Sequence, residues 1–132
     1  MLIGIDHVQL SMPVGGEERA RAFYTGVLGL AEVTKPAALA ARGGVWFAAP
    51  GVAVHLGVET DFRPAMKAHP GFIVADLGPL RTRLSAAGIV VEEDDSGLPI
   101  DRCYVRDPFG NRIELIDAAD AGFSAVPDRG ST

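Results

Sequence analysis

The chain has 132 residues, 48% apolar and 22% charged, which suits one compact globular domain and is short for two. Its net charge of −5, without any basic cluster, argues against a nucleic-acid partner, and the single cysteine, Cys103, excludes an intrachain disulfide or a site made of several thiolates. Met1 to Asp6 carry no basic stretch ahead of a long apolar run, and the longest apolar run, Val45 to Leu56, is broken by Pro50-Gly51 and too short to span a bilayer. No signal peptide and no membrane partner are expected, and the protein is expected to be soluble and cytoplasmic.

Gly4 to Met12 reads as a strand, with Asp6, Val8 and Leu10 on one face and His7, Gln9 and Ser11 on the other. Pro13-Val14-Gly15-Gly16 ends it. Glu17 to Leu28 reads as a helix. Ala20, Phe23, Val27 and Leu28 form its apolar stripe, two acids sit in the first turn where the helix dipole favours them, and Gly29 stops it. A second strand is expected over Leu30 to Lys35, and the alanine-rich residues 36–42 stay open between helix and loop. Two more strands, Val45 to Ala48 and Val52 to Val58, flank the turn Ala49-Pro50-Gly51. In the latter, Val54 and Leu56 share one face and Ala53, His55 and Gly57 the other. Residues 59–68 are polar and read as a connection.

The order then restarts. His69 to Asp76 reads as a strand with Phe72 and Val74 facing one way and His69, Gly71 and Ile73 the other. Leu77 to Gly88 reads as a helix with Leu77, Leu80, Leu84 and Ala87 on its stripe. Strands over Ile89 to Glu93 and Ile100 to Arg106 follow, separated by a loop. Asp107-Pro108-Phe109-Gly110-Asn111 is a tight turn, in which Pro108 presets φ and Gly110 can take φ > 0. The last strand alternates Ile113 and Leu115 against Arg112, Glu114 and Ile116. Glu114 is thus a carboxylate in the middle of an apolar strand, a costly placement unless it is paired or binds a metal. From Ala118 to Thr132 there is no periodicity, and this tail is expected to be a disordered end or an arm lying on a partner.

The chain therefore repeats strand, helix, strand, strand, strand, in modules of about 3–60 and 66–117 within one domain, 1–117. Laying one half on the other puts His55 on Glu114, with His7 and His69 both on the first strand of their half. A lone histidine in a strand is more often a core or surface residue than a ligand. Here all three histidines and Glu114 fall at matched places of a repeat, on the face carrying the small and polar residues. Imidazole nitrogens and a carboxylate oxygen suit a divalent first-row metal such as Zn, Mn, Fe, Co or Ni.

Asp6-His7-Val8, Ala22-Phe23-Tyr24-Thr25-Gly26-Val27-Leu28-Gly29-Leu30, the stretch His69 to Asp76 and Asp107-Pro108-Phe109-Gly110-Asn111-Arg112-Ile113-Glu114-Leu115 together resemble the vicinal oxygen chelate superfamily, which includes glyoxalase I, bleomycin-resistance proteins, fosfomycin-resistance enzymes and extradiol dioxygenases. The resemblance implies an α+β fold of two βαβββ modules forming an eight-stranded, cup-shaped mixed sheet with helices outside. It implies metal ligands at His7, His69 and Glu114, and a fourth at His55, a place where relatives often carry Glu or Gln. It also implies a homodimer, and the open sheet edge of each half agrees with that.

The resulting expectation is a metal-dependent, glyoxalase-like enzyme of lyase or isomerase type. It would act on a small oxygenated metabolite held through vicinal oxygens, with Glu114 as ligand and base. Gln9, Ser11, Trp46, Tyr104 and Arg112 are the candidate pocket residues. For at least one of Trp46 and Tyr104 a core position is preferred, and Arg112 either binds an anionic substrate group or neutralises Glu114. The alternatives are a bleomycin-resistance-type protein that sequesters a ligand without catalysis, or a dioxygenase-like or fosfomycin-resistance-like metalloenzyme.

Overall fold

The computed structural model describes residues 1–123, so the expectation for most of the tail lies outside the described residues. In chain order come β1 (Val8–Met12), α1 (Glu17–Tyr24), β2 (Ala31–Val33), α2 (Ala37–Ala40), β3 (Val45–Ala49) and β4 (Val52–Val58). They are followed by β5 (Gly71–Val74), α3 (Leu77–Ala86), β6 (Glu92–Glu93), β7 (Arg102–Arg106), β8 (Arg112–Asp117) and a single 3-10 turn, Ala118–Asp120. The strands form two four-stranded sheets of the same topology, β1-β4-β3-β2 and β5-β8-β7-β6. In each sheet the first strand runs parallel to the fourth. Antiparallel pairing joins β2 to β3, β3 to β4 and β6 to β7. The architecture is the expected α+β pair of βαβββ modules, with α2 added to the first.

The described residues divide into two compact units, Met1–Pro70 with Arg106–Arg112, and Gly71–Val105 with residues 113–123. In the first unit, Met12, Ala20, Phe23, Tyr24, Val45, Phe47, Val54 and Leu56 are buried. They are the apolar face of the sheet and the apolar stripe of α1, so the period-2 and helical patterns meet in one core. Tyr24 packs edge-on to Phe23 at 4.9 Å and stacks on Phe47 at 5.3 Å. Its hydroxyl donates to Asp107 Oδ2 at 2.7 Å, which satisfies a polar tip inside an apolar core. The 107–111 turn is built around that carboxylate. Asp107 Oδ1 accepts from the N–H groups of Phe109 and Asn111, both at 2.9 Å, and Oδ2 also accepts from Asn111 Nδ2 at 2.8 Å. Gly110 takes φ +91° as the turn requires, and a Cβ there would stand 3.1 Å from Pro64. In the second unit Leu77, Leu84, Cys103, Val105, Ile113 and Leu115 are buried, again α3's stripe against one sheet face. Burial pushes the Cys103 thiol up to about 11, in keeping with a structural filler.

Several elements are shorter than the sequence predicts. β1 begins at Val8, not Gly4, because its ladder with β4 begins at the Val8–Val54 pair, and Leu2, Ile3 and Ile5 are exposed. α1 ends at Tyr24, and residues 25–28 follow as turns. There the N–H groups of Gly26 and Leu28 bond five residues back, to Arg21 and Phe23. A Cβ on Gly26 would lie 2.3 Å from the Ala22 carbonyl oxygen, so the widened turn needs glycine. β6 is reduced to Glu92–Glu93, because Ile89 N–H closes the end of α3 on Leu84 O and Val90 points into solvent. Trp46 and Tyr104 are both half-buried, so the core position preferred for one of them is held by neither.

Candidate functional site

The face of the first sheet opposite the core carries the polar residues. The register puts Gln9 and Trp46 on either side of His55, and Ser11 beside Gly57. Gly57 is where the Gln9 side chain lies: a Cβ there would meet Gln9 Nε2 at 2.7 Å. His55 stacks on Trp46, with ring centroids 3.8 Å apart and planes within 2°, and on His7, 4.3 Å away at 18°. Burial, reinforced by His7 and Lys35, holds the His55 imidazole below its ordinary pKa, so it is neutral at pH 7 with a lone pair to offer.

The other two histidines are oriented through Nδ1. His7 Nδ1 lies 2.7 Å from Asp6 Oδ2, and His69 Nδ1 lies 2.7 Å from Lys67 O. Both acceptors call for a proton on Nδ1, which puts the lone pair on Nε2. Carboxylates and carbonyls set metal-ligating imidazoles in this way. His69 lines an open cleft of about 430 Å³ together with Gln9, Ser11, Arg63 and Arg112. A smaller cleft of about 180 Å³ lies against Gln9, Trp46 and Gly57.

In the second unit Glu114 lies on β8 opposite Gly71 of β5, and a Cβ on Gly71 would stand 3.1 Å from Glu114 Oε2. Glu114 Oε1 accepts from Arg102 Nη1 at 2.9 Å and from the Tyr104 hydroxyl at 3.4 Å. Arg102 also pairs with Asp94 at 3.0 Å, and that pairing holds the Asp94 carboxyl below the usual range. The costly strand carboxylate is thus paired with Arg102 from the adjoining strand. Arg112 lines the larger cleft of the first unit.

The sequence reading missed Arg102, although it lies two residues before Tyr104 and so on the same strand face. It also missed the acceptors behind His7 and His69, because a backbone carbonyl or a neighbouring carboxylate has no motif. The residue types fit a divalent metal, and the Nδ1 partners favour ligation through Nε2. The rings as stacked do not aim at one ion, since an imidazole lone pair lies in its ring plane while His7 and His55 face each other. Among the described residues, no three His, Cys, Asp or Glu side chains are gathered to hold a metal. Among the described residues no helix is long and apolar enough to cross a membrane.

The repeat is visible in the pairing itself. His7 precedes by two residues the partner of His55, and His69 precedes by two the partner of Glu114. Two such modules, with this residue set at matched places, define a vicinal-oxygen-chelate fold. The Glyoxalase/Bleomycin resistance protein/Dioxygenase superfamily matches residues 4–115, and the chain belongs to that superfamily. A glyoxalase family protein from Bacillus anthracis has a similar structure, with a TM-score of 0.85 at 46% identity over 89% of this chain and 96% of that one. Lactoylglutathione lyase from Agrobacterium tumefaciens matches with a TM-score of 0.63 at 24% identity, over 88% and 96% of the two chains. The fosfomycin resistance protein FosX from Listeria monocytogenes, solved with Mn(II) and a dihydroxypropylphosphonic acid, matches with a TM-score of 0.73 at 16% identity, over 89% and 93%. At those identities the last two show the shared fold alone. No curated protein sequence matches the chain.

Proposed function

We propose that the protein is a divalent-metal-dependent enzyme of lyase or isomerase type, acting on a small oxygenated metabolite bound through vicinal oxygens. The observation that carries this reading is the matched register: the positions of His7 and His55 in one module are those of His69 and Glu114 in the other. These four residues are the candidate ligands of the metal, whose chemistry when bound would be to polarise substrate oxygens and stabilise the charge that develops on them. Glu114 accepts a substrate proton as base, and Arg102 and Tyr104 orient its carboxylate. Gln9, Ser11 and Arg112 line the larger cleft and would position the substrate, while Trp46 stacks on His55 and fixes its plane. A cytoplasmic homodimer belongs to the same reading, since β1 and β5 are edge strands of their sheets.

Metal analysis of purified wild type and Glu114→Gln, combined with a panel of dicarbonyl, epoxide and catechol substrates, tests it. Wild type should retain about one metal per set of four ligands, Glu114→Gln should lose it, and one substrate class should turn over. Equal metal content in the two proteins sinks the ligand assignment. The second reading, a ligand-sequestering protein, is favoured by the larger cleft, whose volume of about 430 Å³ suffices for a small organic molecule without any metal. Ligand binding without turnover or metal would establish it.

A further inference from the structure

The smaller cleft has a chemistry that neither the repeat nor the ligand set explains. Its lining residues include Gln9, Trp46, Gly57, Lys35 and Arg42. Two cations at one small opening are notable in a chain of net charge −5. Lys35 Nζ is held there by donating to the Gly43 carbonyl, which uses one of its three hydrogens. Glu17, the nearby acid, accepts from Gly44 N–H at 3.1 Å, and that bond is the main reason its carboxyl is held below its ordinary pKa. Among the described residues Arg42 makes no ion pair, so the opening keeps an excess of positive charge. Its volume of about 180 Å³ is below the range of a whole ligand pocket, and equals about six water volumes, room for one small polar group. The Trp46 ring on its wall is the one stacked on His55, and Gln9, also on its wall, lines the larger cleft too. The opening is therefore next to the larger cleft and to His55.

We propose that this cleft is an oxyanion subsite, in which Lys35 and Arg42 bind the anionic end of the substrate. Lys35 is a compact ammonium with hydrogens to donate, and Arg42 a planar fork. Together they suit a carboxylate, a phosphonate or a phosphate, which the Gln9 amide can also donate to. That the anion is the tail of a chelated substrate rests on the metalloenzyme reading. That the cleft binds an oxyanion does not, and the two can be tested apart.

Trp46 is the only tryptophan of the chain, so its fluorescence reports on this cleft and on the His55 ring stacked against it, and the Lys35 and Arg42 variants separate the two. Inorganic phosphate and acetate are titrated into the full-length protein, with sodium chloride holding the ionic strength constant. We expect a saturable change with at least one of the two, phosphate or acetate marking which anion class the cleft takes. Lys35→Met and Arg42→Met should each weaken it about tenfold or more, the scale of one charge-assisted hydrogen bond, while Glu114→Gln leaves it unchanged. Arg42 is exposed, so its replacement leaves the fold intact even where that of Lys35 does not. No saturable change above the chloride control, or one that survives both substitutions, overturns the proposal. Anion binding to a protein found to hold no metal would leave the subsite standing and remove the metalloenzyme reading. Metal retained without any anion response would do the reverse.

Discussion

The carboxylate of Asp107 gathers four donors: the Tyr24 hydroxyl, Asn111 Nδ2 and the N–H groups of Phe109 and Asn111. Tyr24 and Asp107 are 0% and 5% exposed, so their bond is not screened by water. Tyr24→Phe removes one hydrogen bond to a charged acceptor and leaves three on Asp107, at a cost of about 2 kcal/mol. Asp107→Ala removes the acceptor that all four donors share and strands three of them. Asn111 Nδ2 still reaches Ser11 O at 2.8 Å, but the buried tyrosine hydroxyl and the two turn N–H groups lose their partner, at a cost of about 4–6 kcal/mol. In the double variant there is no hydroxyl left to strand, so its cost should fall about 2 kcal/mol short of the sum. Urea unfolding of the four proteins measures this directly, followed at the transition of the unit that holds Tyr24 and Asp107. Costs that add within about 0.5 kcal/mol would show that the Tyr24–Asp107 bond does not hold the turn.

Arg102→Met should release the Glu114 carboxylate from its ion pair, and metal titration by calorimetry should show severalfold tighter binding; unchanged affinity would mean that Arg102 does not compete for that oxygen. Because burial lowers the His55 pKa, the unfolded chain binds the proton more readily below about pH 6.5. The contribution of neutral His55 to stability is therefore complete above that pH and is lost as pH falls through the lowered folded value, and His55→Gln should flatten this part of a urea-midpoint-against-pH profile. Gly57→Val should displace the Gln9 amide, whose nitrogen lies 2.7 Å from where the Cβ would be, and narrow the smaller cleft; the anion response of Trp46 should disappear, and a normal response would refute the placement of Gln9.

Much of this molecule is local, and local order is written in period and punctuation. The alternation of Val54 and Leu56 against His55 decides which face of its strand is buried whatever the strand packs on, because successive side chains point to opposite faces. The turn at 107–111 is equally legible, since Pro108 and Gly110 restrict φ and Asp107 can cap its own turn. The repeat could be read by laying one half over the other, and the strand registers reproduce it residue for residue at the candidate ligands.

What sequence alone determined is therefore the module, its repeat, the family and the residue types a metal would want. What only the tertiary structure decided is who partners whom. Arg102 meets Glu114 across two strands, Trp46 meets His55 face to face, Lys67 offers its carbonyl to His69, and Lys35 and Arg42 share an opening with Gln9. Each of these depends on strand pairing, a loop's path or a side-chain rotamer. Period-2 and helical patterns specify a face; they carry no information about the residue that will stand opposite it.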